Sequence, residues 1–132
     1  MIITKGLIIA TPHIERIMSG EKTWEMRSTA TKQRGSVALI RKGSGQVVGT
    51  VEITGCTEKL SRVQMLDEQR RHRIDAADIA SGVEDNWNRG WILQDARPLV
   101  TPIPYRHPFG AVIWVTLDEA VQKALVLAGH SS

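Results

Sequence analysis

The chain has 132 residues and a formal net charge of +3, with 42% hydrophobic and 23% charged residues. That length suits one domain with a modest core, and that balance excludes global disorder. The lone Cys56 excludes an internal disulfide and a cysteine metal cluster, the mild basic excess permits a polyanionic partner without demanding one, and no apolar run is long enough to cross a bilayer.

Residues 5–10 read as a buried first strand, because Leu7, Ile8 and Ile9 form a short apolar run. Thr11 suits a helix cap and Pro12 its first turn, so a short helix is expected over about 12–19. Ile14, Ile17 and Met18 form its apolar stripe, and its N-terminus suits an anion. His13, in that first turn, reads either as an exposed helix residue or as a pocket residue. Gly20 fits a left-handed cap. Residues 22–27 then read as a strand, since Thr23 and Trp24 suit a pleated surface. Alternation puts Lys22, Trp24 and Met26 on one face and Thr23, Glu25 and Arg27 on the other, with Glu25 and Arg27 able to pair. One reading is an edge strand with solvated charges over a Trp24–Met26 core; the other is one wall of a cleft.

A polar loop over 28–35 leads to a strand over 37–41 that is apolar on both faces, a glycine turn at 42–45, and a long strand over 46–56. Gly49 inside that strand marks a bulge or a close backbone approach. Ser61 suits the cap of a helix over about 62–73, with Val63 and Leu66 on its apolar face. A further helical turn over 74–79 ends before Gly82, giving a helical insert at about 61–80. Trp91 opens a strand running towards Leu99, where Pro98 marks an end or an edge position. Repeated prolines keep 101–108 extended, and Tyr105 and His107 read either as pocket residues or as packing at a barrel mouth. The last strand covers 111–117. Thr116 and Glu119 have capping-box spacing before a terminal helix over about 117–128, striped by Leu117, Val121, Ala124, Leu125 and Ala128 and stopped by Gly129. Residues 130–132 read as a frayed tail. Of the four tryptophans, Trp24 and Trp114 read as core, whereas Trp87 and Trp91, beside Asn and Gly residues, read as stacking candidates. The helical insert holds no glycine-rich phosphate loop and no metal-ligand spacing, and neither a cofactor nor a metal is expected.

Gly20, Lys22, Glu25 and Arg27 resemble the signature Gly-x-Lys-x-x-Glu-x-Arg of the ASCH domain, a branch of the PUA-like superfamily. The resemblance continues in order through Thr11-Pro12-His13, residues 34–39 and 46–52, Trp91-Ile92-Leu93, Arg97-Pro98-Leu99 and residues 102–105, covering most of 4–117. It implies an α+β fold: a small mixed or antiparallel PUA-like β-barrel with short helices covering its ends, as a single domain over 1–132. It further implies a cleft that binds RNA or a modified nucleobase, with Thr11, His13, Lys22, Thr23, Glu25, Arg27, Trp87, Trp91, Tyr105 and His107 as the candidate ligand contacts. Lys22 and Arg27 would contact a phosphate or carbonyl, and Glu25 would orient them or accept from a base amino group.

Two enzymatic alternatives come with the resemblance. A subset of ASCH-like proteins removes the acyl group of acetylated cytidine, using a lysine that activates a threonine. Lys22 matches that lysine, but Glu25 stands where the threonine would be, so the catalytic candidates are Lys22 and Glu25, the latter as general base for water. Some relatives cleave RNA, and Lys22 with Tyr105 or His107 would serve a metal-independent ribonuclease. The expected partner is RNA or a modified nucleoside, not a membrane, and the terminal helix reads either as closing the barrel or as contacting another chain in a homodimer. The first five residues lack the layout of a secretory signal, so a cytoplasmic location is expected.

Overall fold

The structure, a computed structural model, describes residues 2–131. Six strands, β1 (Lys5–Ile9), β2 (Trp24–Arg27), β3 (Gly35–Arg41), β4 (Gln46–Cys56), β5 (Arg89–Pro104) and β6 (Trp114–Thr116), form one mixed sheet in the order β2-β5-β4-β3-β1-β6. It curls into a half-barrel with β2 and β6 at its edges. Five short helices accompany it: α1 (His13–Met18), α2 (Arg62–Asp67), α3 (Gln69–His72), α4 (Ala76–Ser81) and α5 (Glu119–Leu127). This is the α+β, PUA-like architecture expected from the sequence. Among the described residues no helix is long and apolar enough to cross a membrane.

The parallel pairing of β1 with β3 sets the layout, because a parallel pair needs a crossover, and α1 and β2 supply it. Both central strands are apolar on both faces, and each face has its own cover. Leu7, Ile9, Val37 and Leu39 pack with Ile14 and Ile17 of α1, Trp91 and Leu93. Ile8, Ala38 and Ile40 pack on the other side with Val121 and Leu125 of α5. Along β4, Val48 joins the α1 side, yet so does Val51, three residues on. Strict alternation would put them on opposite faces. Register shifts on both flanks of β4 account for this, as bulges do.

Gly49 sits at one of those shifts, opposite Pro98. A β-carbon there would lie 2.7 Å from the Arg97 carbonyl oxygen and 3.1 Å from Met18 Sδ. Pro98 does not end its strand: β5 runs on to Pro104. β2 pairs only with Arg89–Ile92, so the distal part of β5 has β4 on one side and a free edge on the other, where proline is tolerated.

Several expectations need correction. The predicted helix over 62–73 is two short helices broken at Glu68, although Ser61 does cap the first with a full capping box to Gln64. Val63 and Leu66 do not face the core; they are exposed, and Met65 is the buried residue of α2. Thr11 does not cap α1: its hydroxyl donates to Glu15 Oε1 at 2.8 Å. The last strand keeps only three of its seven expected residues. The α5 cap is Asp118, whose Oδ1 accepts the Val121 N–H at 2.9 Å, not Thr116. His130 is not frayed: it is buried, with Nδ1 2.6 Å from Thr50 Oγ1, while the Gly129 carbonyl accepts from Arg97 Nη1 at 3.1 Å. The final residue of that predicted tail, Ser132, lies outside the described residues.

The approach at Gly49 gives a direct test. Gly49→Ala presses a methyl group against backbone rather than a flexible side chain, so we expect a loss of about 1–3 kcal/mol, the usual cost of overpacking. Urea unfolding followed by circular dichroism reads it; an unchanged midpoint contradicts the close approach.

Candidate functional site

The site starts from a departure from strand geometry. β2 begins only at Trp24, so Lys22 and Thr23 are not bound by alternation. The Lys22 N–H bonds the Arg16 carbonyl at 2.9 Å and the Thr23 N–H bonds the Arg71 carbonyl at 2.9 Å. That turn brings the Lys22 ammonium to the Glu25 side, with Nζ 4.0 Å from Glu25 Oε1. The expected grouping of Lys22 with Trp24 and Met26 is therefore corrected. Within the strand the alternation holds: Trp24 and Met26 pack against Met65, Ile74 and Ile79 of the insert, and Glu25 and Arg27 point the other way.

Lys22 is 2% exposed, and its ammonium donates to the His72 carbonyl. Arg27 Nη2 donates to Glu25 Oε2 at 3.0 Å and to the Ile8 carbonyl at 2.7 Å. The Arg27 guanidinium also lies 5.6 Å from the centroid of the Trp91 ring. These groups open onto a cleft of 380 Å³ whose wall includes His13, Lys42, Glu84 and Trp87. That volume lies within the usual range for small-molecule sites. Three cations and two carboxylates line it, so it offers donors and acceptors rather than one sign of charge.

Burial shapes the titration of these groups. It pushes the Lys22 ammonium down to about 8, against the opposing pull of Glu25. Burial, with Lys22 nearby, also lowers His13, whose Nδ1 is buried without a hydrogen bond among the described residues. His13 is thus a neutral ring at the cleft wall at neutral pH.

Of the ten residues singled out from sequence, five line this cleft: His13, Lys22, Glu25, Arg27 and Trp87. Trp87 keeps 46% of its surface exposed and is free to stack. Trp91 is not: it is 1% exposed, stacked on Trp114 at 5.8 Å, and its Nε1 donates to the Thr29 carbonyl at 2.9 Å. Thr11 and Thr23 are exposed and outside the cleft wall. Tyr105 and His107 line a neighbouring hollow rather than the cleft that holds Lys22. Sequence reasoning missed Lys42, Glu84 and His72. Lys42 carried a signal as the cation opening a glycine turn, whereas His72 reaches the site only through the docking of the insert and Glu84 through the segment between α4 and β5. Among the described residues no three His, Cys, Asp or Glu side chains gather as a metal site.

The family model described as the ASCH domain matches residues 7–103. The crystal structure of ASCH from Zymomonas mobilis superposes with a TM-score of 0.69 at 14% identity, covering 93% of this chain and 93% of that one. A single-substitution variant of the same Zymomonas mobilis protein gives 0.68 at 14% identity, over 93% and 96% of the two chains. At that identity the likeness is one of fold. No curated protein matches the chain.

Lys22 makes a testable contribution to stability. Its folded pKa, about 8, lies below the ordinary 10.5. Between those values the unfolded chain holds the extra proton, so stability rises with pH across that window. We expect Lys22→Met to remove this rise, which amounts to no more than about 3 kcal/mol. Urea titrations of both proteins at the two ends of the window measure it; equal slopes would show that Lys22 is not held in a desolvated site.

Proposed function

The chain belongs to the ASCH domain family, and from that premise we propose that it binds a nucleobase, presented by RNA or as a modified nucleoside, in the cleft beside β2. The observation that carries this reading is the convergence of Lys22, Glu25 and Arg27 beside the exposed indole of Trp87. An ammonium has three donors and a guanidinium five. Lys22 uses one on His72, and Arg27 engages Glu25 and Ile8 through Nη2 alone, so both retain N–H groups for a ligand. Those groups suit a base carbonyl or a phosphate. Glu25 presents an acceptor for an exocyclic amino group, and Trp87 offers a flat face. His13, neutral and unpartnered at Nδ1, adds a further polar contact.

Titration calorimetry with short single-stranded RNA and DNA and with the common and acetylated nucleosides tests the proposal at low salt. Trp87→Ala should weaken binding about 5- to 100-fold, the worth of one base stacked on an aromatic ring. Glu25→Gln should weaken ligands that offer an amino group more than those that do not. No binding to any of these probes would dispose of the reading.

A second reading, hydrolysis of the acyl amide of an acetylated cytidine, is favoured by the lowered pKa of Lys22. Near pH 8 a fraction of the amine is neutral and can take a proton from water while the water oxygen attacks the amide carbonyl carbon. Collapse breaks the C–N bond, the proton passes to the leaving amino group, and acetate and cytidine result. Glu25 is the weaker candidate for the base, because Arg27 occupies one of its oxygens. Chromatography of acetylcytidine incubations should then show cytidine, with a rate rising through about pH 8 and lost in Lys22→Met. Intact acetylcytidine at stoichiometric enzyme leaves binding alone.

A further inference from the structure

The base cleft does not end at its own wall. A second hollow, of 680 Å³, adjoins it, and Ile8, Lys42 and Val112 line both. Its other side is built from the turn after Lys42 and from Tyr105 and His107. The Tyr105 N–H bonds the Gly45 carbonyl at 3.0 Å, which ties the two walls together. His107 Nε2 lies 3.0 Å from the Ala111 carbonyl, an acceptor only, so Nε2 donates there, and Nδ1 lies 2.8 Å from the Tyr105 hydroxyl. The aromatic wall is therefore held in place before any ligand arrives. Val112, at the shared border, is exposed. Lys42, at the boundary, is exposed, and among the described residues its side chain makes no ion pair.

The cleft beside β2, then a solvated cation, then a second aromatic-walled hollow follow one another along this surface. That order matches base, phosphate and base in a single strand. We propose that the second hollow receives the nucleotide next to the base in the cleft, with Lys42 on the intervening phosphate and the Tyr105–His107 wall against the neighbouring base. The physiological ligand is then a single-stranded stretch of at least two nucleotides rather than a free nucleoside. This inference rests on the base-binding reading above, and the test separates the two.

The affinities of the four common ribonucleosides and acetylcytidine are compared with those of trinucleotides carrying each at the centre, for wild type, His107→Ala and Lys42→Ala. The trinucleotide should bind at least about tenfold more tightly than its nucleoside, within the range that one further stacked base supplies. His107→Ala should remove most of that gain and leave the nucleoside affinity unchanged. Lys42→Ala should make the slope of log affinity against log salt for the trinucleotide less negative by about 0.7, the loss of one phosphate contact on a single strand. His107 and Lys42 are both exposed, so both variants should fold. If nucleosides bind but trinucleotides bind no better and His107→Ala changes nothing, the second-nucleotide site is overturned and the base cleft stands. If neither class of probe binds, both are overturned together.

Discussion

A lysine that is almost wholly out of water is the constraint on which this site depends. Removing an ammonium from solvent is costly unless hydrogen bonds and an opposite charge replace the lost hydration. Lys22 has both, from the His72 carbonyl and from Glu25. The first of these lies in the insert, so burial of the lysine and docking of the insert are one event. The insert is fastened to the signature segment at other points as well: the Thr23 N–H bonds the Arg71 carbonyl at 2.9 Å, Arg73 Nε donates to the Glu21 carbonyl at 2.9 Å, and the Arg71 guanidinium covers the Trp24 ring at 5.3 Å. The helices concerned are too short to be stable alone. Their order comes from these contacts and from the small core around Trp24, Met65 and Ile79.

His72 explains how that carbonyl is held in place. Its ring is completely buried, with Nε2 2.6 Å from the Met65 carbonyl and Nδ1 accepting the Ile74 N–H at 3.0 Å. A carbonyl cannot donate, so Nε2 carries the hydrogen and the ring is neutral, in line with the lowering of its pKa by burial. Both ring nitrogens are thus committed to the backbone on either side of α3. The chain at residue 72 has little freedom, and the ammonium that depends on it inherits that rigidity.

The parts of this arrangement that could be read from sequence are those governed by local rules. The bounds of β4 followed from its apolar pattern and the glycine turn before it, and the close approach at Gly49 followed from a glycine set inside a strand. The two-sided burial of β3 followed from apolar residues at successive positions. The pairing of Glu25 with Arg27 followed from strand alternation. Lys22 was misplaced because it lies two residues before β2, where alternation no longer holds, and the strand starts later than its composition suggests. Trp91 was misread because its neighbours are polar and flexible, whereas its burial is set by β5 lying between β2 and β4, a relation no local pattern encodes. His130 was lost for a similar reason: its partner Thr50 is eighty residues away. Capping shows the same division, since Ser61 was found and Asp118 was passed over for a threonine two residues earlier with an equally good spacing.

The mixed charge of the cleft has a consequence for selectivity. A purely basic groove grips phosphates and tolerates any base, because phosphate contacts position a strand without reading it. Here a carboxylate stands between two cations, and the residues that carry them are largely buried. A ligand that enters without matching groups leaves those donors and acceptors dehydrated and unpaired, at a cost of about 1–3 kcal/mol for each. Discrimination of this kind acts by rejecting wrong ligands, and it is strongest where the site cannot relax. The rigid chain at His72, the commitment of Arg27 to Ile8 and the desolvated ammonium between them all resist relaxation. The energy that buries Lys22 is therefore also what holds the polar groups of the cleft wall in place.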